Sequence, residues 1–173
     1  AGSVGSTIAY AMMIQSIARE IVMVDIDQDK LEGQVMDLHH GQNFVSPVSI
    51  KAGDYSDCSN AALVMITAGA KQEPGESRID LIDRNISIMK NIIKNIISHT
   101  KNHQPILLII SNPCDVLTYA AWKFSNFHSH KIIGSGTTLD SSRLRSEISK
   151  RCNIDAQNVH GYIVGEHGDS ELA

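Results

Sequence analysis

Residues 1–26 read AGSVGSTIAYAMMIQSIAREIVMVDI, and the fold is decided by this stretch. Gly2 and Gly5 stand ahead of a helical pattern, and EIVMVDI (Glu20 to Ile26) is the apolar run of a buried strand. A G-x-G-x-x-G turn between a strand and a helix lets backbone N–H groups approach a pyrophosphate. Gly2 and Gly5 fit the second and third glycines of that turn; the first would stand one residue before Ala1. Two glycines at this spacing also fit a plain tight turn. Asp25 adds weight, because it ends the strand run 20 residues beyond Gly5, the distance of a ribose-binding acid. A carboxylate there accepts from both ribose hydroxyls and repels a 2′-phosphate, so the pattern reads as NAD rather than NADP. The other reading of Asp25 is a polar residue that closes a strand.

Further along, short apolar runs alternate with amphipathic segments. A helical stretch DKLEGQVMDLHHG follows the first strand, and VSIKAGD (Val48 to Asp54) and ALVMITAGA (Ala62 to Ala70) are two more strands. Ile82, Ile86, Met89, Ile93 and Ile96 recur at helical spacing and predict a long helix over roughly Ile79 to Lys101. PILLIIS (Pro105 to Ser111) is the most apolar strand, stopped by Asn112-Pro113. A helix around Leu117 to Phe124, the short strand KIIGS and a helix from about Leu139 to Arg151 complete the order. Continuously apolar strands separated by helices imply an α/β chain, a doubly wound parallel sheet covered on both faces.

In such a sheet, of order 3-2-1-4-5-6, the strand before the glycine turn is central. That first strand is missing ahead of Ala1, so its neighbours are expected to face a gap with unpaired backbone groups, a costly defect in a buried sheet. The chain is therefore expected to be part of a longer protein and to be inactive by itself.

Composition narrows the class. The 173 residues are 42% hydrophobic and 20% charged, enough to supply a core, and the net charge of −4 is scattered along the chain. No basic stripe suggests a nucleic-acid partner, and no apolar run reaches membrane-spanning length. Cys58, Cys114 and Cys152 are far apart and odd in number, which excludes a disulfide framework and a zinc spacing and favours a reducing compartment. A cytoplasmic protein with no metal site is the expectation.

Four constellations could carry chemistry. GAKQEPGESR (Gly69 to Arg78) is a Pro/Gly-containing loop over the strand ends, where this architecture binds ligands. Arg78 falls near a helix start, an unfavourable place for a cation beside the helix dipole, which favours a function for it. SNPCD (Ser111 to Asp115) puts Asn112 at a strand's carboxyl end, although Asn-Pro is also a common turn. In GSGTTLDSSRLR (Gly134 to Arg145), Asp140 and Arg143 share a helix face at i, i+3, a spacing that a surface ion pair explains equally well. VGEHGDSE (Val164 to Glu171) sets His167 between Glu166 and Asp169 in a glycine-flanked bend, and histidine is the natural acid/base near neutral pH.

Together and in this order, AGSVGS, VDI, MDLHHG, TAGAKQEPGESR, ISNPCD, GSGTTLDSSRLR and VGEHGDSEL resemble the L-lactate branch of the lactate/malate dehydrogenase family. The resemblance runs along the whole chain. It implies a Rossmann-type NAD domain over residues 1–134 and the start of an α+β catalytic domain over residues 135–173. His167 matches the family's catalytic histidine, exchanging a proton with the substrate oxygen of pyruvate or lactate. Asp140 matches the carboxylate that orients the imidazole, so Glu166 and Asp169 are not expected to be its partners. Arg143 would grip the substrate carboxylate bidentately. Arg78 would polarise the carbonyl as its loop closes, and Asn112 would bond near the carbonyl and nicotinamide. Gln72 stands where the malate branch carries an arginine; a neutral side chain there leaves a second substrate carboxylate unpaired and favours pyruvate over oxaloacetate.

For NAD, the resemblance implies Gly2, Val4, Gly5, Asp25, Lys30 and Tyr55 on the adenosine side. It adds Gly69, Ala70, Asn91, Ser111, Asn112 and Ser135 along the rest of the cofactor. Arg145 and His160 match positions that bind fructose 1,6-bisphosphate across a subunit interface in bacterial members, which implies a homotetramer activated by that sugar phosphate. The alternatives for those two residues are a solvated helix residue and the start of a strand. Two other readings of the whole stand beside this one: malate or another 2-hydroxyacid dehydrogenase of the same fold, and an NAD-binding protein without catalysis.

Overall fold

The computed structural model describes residues 1–101 and 103–173, with Arg78 described by its backbone alone. The described residues form five α-helices and five strands in the order α1 (Ser3–Ile14), β1 (Glu20–Met23), α2 (Gln28–Gly41), β2 (Ser49–Ala52), β3 (Leu63–Ile66), α3 (Arg78–His99), β4 (Ile106–Ile109), α4 (Cys114–Ser125), β5 (Ile132–Gly134) and α5 (Thr138–Cys152). All strand pairs are parallel, in the orders β1-β2 and β3-β4-β5. This is the α/β, Rossmann-like architecture expected from the apolar runs.

The two sheet pieces match positions 3-2 and 4-5-6 of the doubly wound order. Among the described residues, β1 pairs only with β2 and β3 only with β4, so each keeps one edge without a strand partner. The start of α1 lies between their carboxyl ends. The Ala1 amino group reaches Val24 O at 3.4 Å and Asp25 Oδ2 at 2.8 Å, and Gly5 abuts Thr67.

Each sheet piece has its own core. Ala9, Met13, Leu31, Val35 and Leu38 from α1 and α2 pack with Ile21, Met23 and Ile50 of β1 and β2. Met89, Ile93 and Ile96 of α3 and Leu117 and Ala121 of α4 pack with Ile66, Leu107, Ile109 and Ile132. Three of the five positions whose period predicted the long helix, Met89, Ile93 and Ile96, are thus fully buried. Leu107 and Ile109 have no exposed surface, and each such side chain contributes about 1.5–3 kcal/mol by leaving water. The expectation that every strand is covered on both faces is not met at Leu63 of β3, at Ser49, Lys51 and Ala52 of β2 or at Ile133 of β5, which are exposed.

Local chemistry sets the helix ends. Asp27 caps α2 by accepting from the Lys30 N–H, and Ser77 and Asp80 form a reciprocal capping box on α3. α4 begins at Cys114, three residues before the predicted Leu117. Pro113, reached through a cis peptide bond, supplies a helix-ready φ of −73°, and Asp115 suits the positive end of the helix. Asn126 and Asn153 close α4 and α5 in left-handed conformations. The strands are shorter than their apolar runs, because pairing stops where a neighbouring strand ends; VSIKAGD, for example, pairs only over Ser49–Ala52.

Candidate active site

The chain from Val164 to Leu172 doubles back on itself, closed by reciprocal backbone bonds of 2.8 and 2.9 Å between those two residues. Gly165 takes φ +98°, a conformation that glycine adopts without strain. The bend presents His167 to the first turn of α5, where its Nδ1 lies 2.6 Å from Asp140 Oδ2. Asp140 is 7% exposed, and its other oxygen accepts from Arg143 Nη1 at 2.9 Å. One buried carboxylate therefore serves both the imidazole and the guanidinium.

A carboxylate only accepts, so it fixes the proton on Nδ1 and leaves Nε2 as the nitrogen that gains and loses one. The imidazole is 28% exposed, which keeps that nitrogen in reach of a substrate. Glu166 does not touch the ring; its carboxylate accepts from Ser170 Oγ at 2.8 Å. Glu171 brings a carboxylate oxygen within 4.8 Å of the ligand atoms of Asp140 and His167.

The His167 backbone is held from a second direction. Its N–H donates to Asp115 Oδ2 at 2.9 Å, so the first turn of α4 braces the bend. The same turn follows Asn112, whose carbonyl faces Asn85 Nδ2 at 3.5 Å. Asn85, 3% exposed on α3, also accepts from the Ala70 N–H at 2.7 Å and thereby fixes the root of the loop that follows β3. A Cβ on Gly69 would sit 3.3 Å from the Asn85 oxygen, so a small residue suits this close approach. Gln72 is exposed on the loop, its amide donating to Glu76 O at 2.9 Å. The side chain of Arg78 lies outside the described residues.

Several of the positions expected to hold NAD follow the carboxyl ends of strands: Asp25 after β1, Gly69 and Ala70 after β3, Ser111 and Asn112 after β4, and Ser135 after β5. Gly2 caps α1 without a side-chain bond, and nothing lies within 4 Å of where a Cβ would be. That leaves open space in front of the unspent N–H groups at the helix start, a cradle suited to a pyrophosphate. At Gly5 a Cβ would meet Thr67 Oγ1 at 2.9 Å, which fits a glycine needed for close helix–strand approach. The Asp25 carboxylate lies partly buried beyond β1 and accepts from the Asp27 N–H at 3.1 Å.

Lys30 rims a shallow cleft with Ser3, Ser6 and Thr7, and Val4 is exposed beside it. Tyr55 is half-buried against the β3-β4-β5 core, where burial pushes its phenol up. Ser111 is buried, its hydroxyl donating to Ala68 O at 2.6 Å, and Ser135 N donates to Ile109 O at 2.8 Å. Asn91 lies exposed on α3. Gly2 and Gly5 at the start of α1, with Lys30 at the same cleft and Asp25 beyond β1, suit the phosphate and ribose of a dinucleotide, whereas Ser111 Oγ and Ser135 N are already engaged by main-chain oxygens.

Arg145 faces away from Arg143. Its Nε donates to Gly161 O at 2.9 Å, and its guanidinium lies 4.6 Å from the Tyr162 ring centroid. His160 directly precedes Gly161, the residue whose carbonyl Arg145 engages, and is exposed. Among the described residues, 160–163 form no strand, and the Ile163 N–H donates to Ser141 Oγ of α5 at 3.0 Å.

Residues 1–134 match the family model of the lactate/malate dehydrogenase NAD binding domain, and residues 137–173 match that of its alpha/beta C-terminal domain. The chain belongs to the lactate/malate dehydrogenase family. It is 54% identical over its whole length to an L-lactate dehydrogenase of Clostridium botulinum (strain Loch Maree / Type A3). It is 52% identical to one of Acetivibrio thermocellus. A solved lactate dehydrogenase from a Medee basin deep-sea metagenome library superposes with a TM-score of 0.95 at 55% identity, over 99% of this chain and 54% of that one. The minor L-lactate dehydrogenase of Enterococcus mundtii gives 0.94 at 43% identity, over 98% of this chain and 54% of that one. The chain spans 54% of the length of the curated relatives named here.

Within this lactate/malate dehydrogenase chain, the geometry adds three residues that sequence reasoning passed over. Asp115 was in view in SNPCD, but nothing in its position pointed to a residue 52 places away. Asn85 had a signal: it is a lone polar residue in step with Ile82, Met89 and Ile96 on the buried face of α3. Arg84 bonds the loop at Glu73, Glu76 and Lys71 O, and its signal was weaker, a charge beside that face.

Proposed function

We propose that the protein interconverts pyruvate and L-lactate with NAD, and the contact of 2.6 Å between His167 and buried Asp140 is the observation that carries this reading. When bound, the nicotinamide supplies or accepts the hydride at the carbonyl carbon. The cofactor would be held by Gly2, Val4 and Gly5 at the pyrophosphate and by Asp25, Lys30 and Tyr55 around the adenosine. Gly69, Ala70, Asn91, Ser111, Asn112 and Ser135 complete its groove.

In reduction, imidazolium His167 donates its Nε2 proton to the pyruvate oxygen and is left neutral; solvent restores the proton. In oxidation, neutral Nε2 takes the hydroxyl proton of lactate, and the positive charge forms beside Asp140. That carboxylate holds the ring and stabilises the charge, as the acid does in a hydrolase triad. Arg143 is 64% exposed at its side chain, so it can turn the remaining N–H edge of its guanidinium to the substrate carboxylate while Asp140 anchors Nη1. Arg78 is assigned to the carbonyl oxygen and Asn112 to the same region. Gln72 offers no charge for a second carboxylate, so oxaloacetate is disfavoured.

The matched regions support a boundary near Gly134, between a nucleotide domain and a catalytic domain. In this reading the reaction is the last step of anaerobic glycolysis in the cytoplasm, and no described helix is long and apolar enough to cross a membrane. Arg145 and His160 support a site for fructose 1,6-bisphosphate in a homotetramer. Binding there would favour the active quaternary state through differential affinity.

The test is NADH oxidation by the protein expressed from its complete reading frame. Pyruvate and oxaloacetate are compared, with and without fructose 1,6-bisphosphate. Turnover of pyruvate with little of oxaloacetate is expected, with a gain from the effector that disappears when Arg145 and His160 are neutralised. Preference for oxaloacetate would overturn the role of Gln72. NADH binding without turnover of either would remove the role of His167.

A further inference from the structure

The loop between β3 and α3 carries two acids, Glu73 and Glu76, in the segment that leads to Arg78. Both are gathered by one residue. Arg84 Nη1 pairs with Glu73 Oε1 at 2.6 Å, and Nη2 pairs with Glu76 Oε2 at 2.9 Å and donates to Lys71 O at 2.7 Å. The loop closes on these contacts: Glu73 N donates to Glu76 Oε2 at 2.9 Å, and Gly75 makes the bend with φ +84°. Gln72 is part of the same unit through its bond to Glu76 O. The pairs are not all solvent-exposed decoration, since Glu76 is 14% exposed and Arg84 35%.

We propose that Arg84 is the counter-ion of the substrate loop, holding Glu73 and Glu76 away from an anionic substrate and setting the position of Gln72. The inference rests on the pyruvate reading above. A 2-oxo acid enters as an anion, so two loop carboxylates near its path would repel it and compete with it for cationic side chains. Arginine suits the task because its planar fork reaches three acceptors at once, which a lysine ammonium on one stem does less well. Arg84 touches the loop and not the substrate; it is a positioning residue.

The experiment uses the protein from its complete reading frame and three variants: Arg84→Met, the double change Glu73→Gln with Glu76→Gln, and all three together. Arg84→Met is expected to raise the pyruvate KM about tenfold at low ionic strength, with a smaller change in kcat and a smaller effect at high salt. The triple variant is expected to recover most of that loss, because the freed loop no longer carries negative charge. A triple variant no better than Arg84→Met would overturn the charge role and reduce Arg84 to a brace.

A second readout is independent of turnover. Tryptic cleavage after Lys71, followed by mass, is expected to be faster by about tenfold in Arg84→Met, as local opening becomes easier. Unchanged cleavage would overturn the tether, even if pyruvate proved not to be the substrate. Should Arg84→Met fail to fold, the double glutamine variant decides: faster cleavage at Lys71 without a raised pyruvate KM supports the proposal, and slow cleavage or a raised KM overturns it.

Discussion

Replacing Asp140 by asparagine keeps the shape of the side chain and removes its charge, so it isolates what the carboxylate does for His167. In the lactate oxidation proposed above the imidazole would become positive with its Nδ1 2.6 Å from Asp140 Oδ2. With the charge centres about 4 Å apart and an effective dielectric of about 20, the attraction is about 4 kcal/mol. Arg143 draws on the same carboxylate but is 64% exposed, and allowing for that share leaves about 3 kcal/mol. This corresponds to a loss of about a hundredfold or more in kcat for lactate oxidation. The assay is stopped-flow NADH formation with saturating cofactor. NADH affinity and the thermal midpoint are measured in parallel to show that the fold survives. A D140N protein within about threefold of the parent rate, with intact cofactor binding, would refute the assignment of Asp140 as the charge partner of His167.

Three other outcomes follow from neighbouring features. Asp115→Ala removes the acceptor for the His167 N–H and should lower kcat/KM for pyruvate by about fivefold with NADH affinity unchanged, whereas Asp115→Asn should lose less. Gly134→Ala would put a Cβ 2.6 Å from Thr118 Oγ1 and 3.2 Å from Cys114 Sγ, so a destabilisation of about 1–3 kcal/mol is expected in thermal unfolding; adding Thr118→Ala should return part of it. Asp57 is held below its ordinary carboxyl value of 3.8, chiefly by its bond with Lys51. Its contribution to stability is therefore complete above that value and lost as pH falls through the lowered one. Acid unfolding of Asp57→Asn should show a shallower loss in that range, and an unchanged acid limb would count against the pair.

Most of the architecture was legible because burial leaves its period in the residues. The i, i+3, i+4 recurrence from Ile82 to Ile96 marked α3, and the run PILLII marked the buried strand β4. The start of α4 was not legible, since Asn112-Pro113 reads locally as a turn and only the backbone path shows Pro113 opening a helix. Asp140 and Arg143 could be placed on one face from their spacing. The partnership of Asp140 with His167, 27 residues apart, could not be read from spacing; it came from the resemblance alone. Asp115 and Arg84 were missed for the same reason: their partners are distant in sequence or lie in an irregular loop, where no period exists to extrapolate.

The contact between Asp115 and the His167 backbone has a mechanical consequence. The bend that carries His167 falls in the region matched by the C-terminal family domain, yet it is anchored to a helix of the nucleotide-binding region. The proposed acid/base group therefore takes part of its position from the layer that would hold the cofactor. A substitution that shifts α4 by a fraction of an ångström would move His167 with it, far from either ligand. Substitutions at exposed positions of this helix, such as Val116 and Tyr119, should thus surface as catalytic defects in proteins that still fold and still take up NADH.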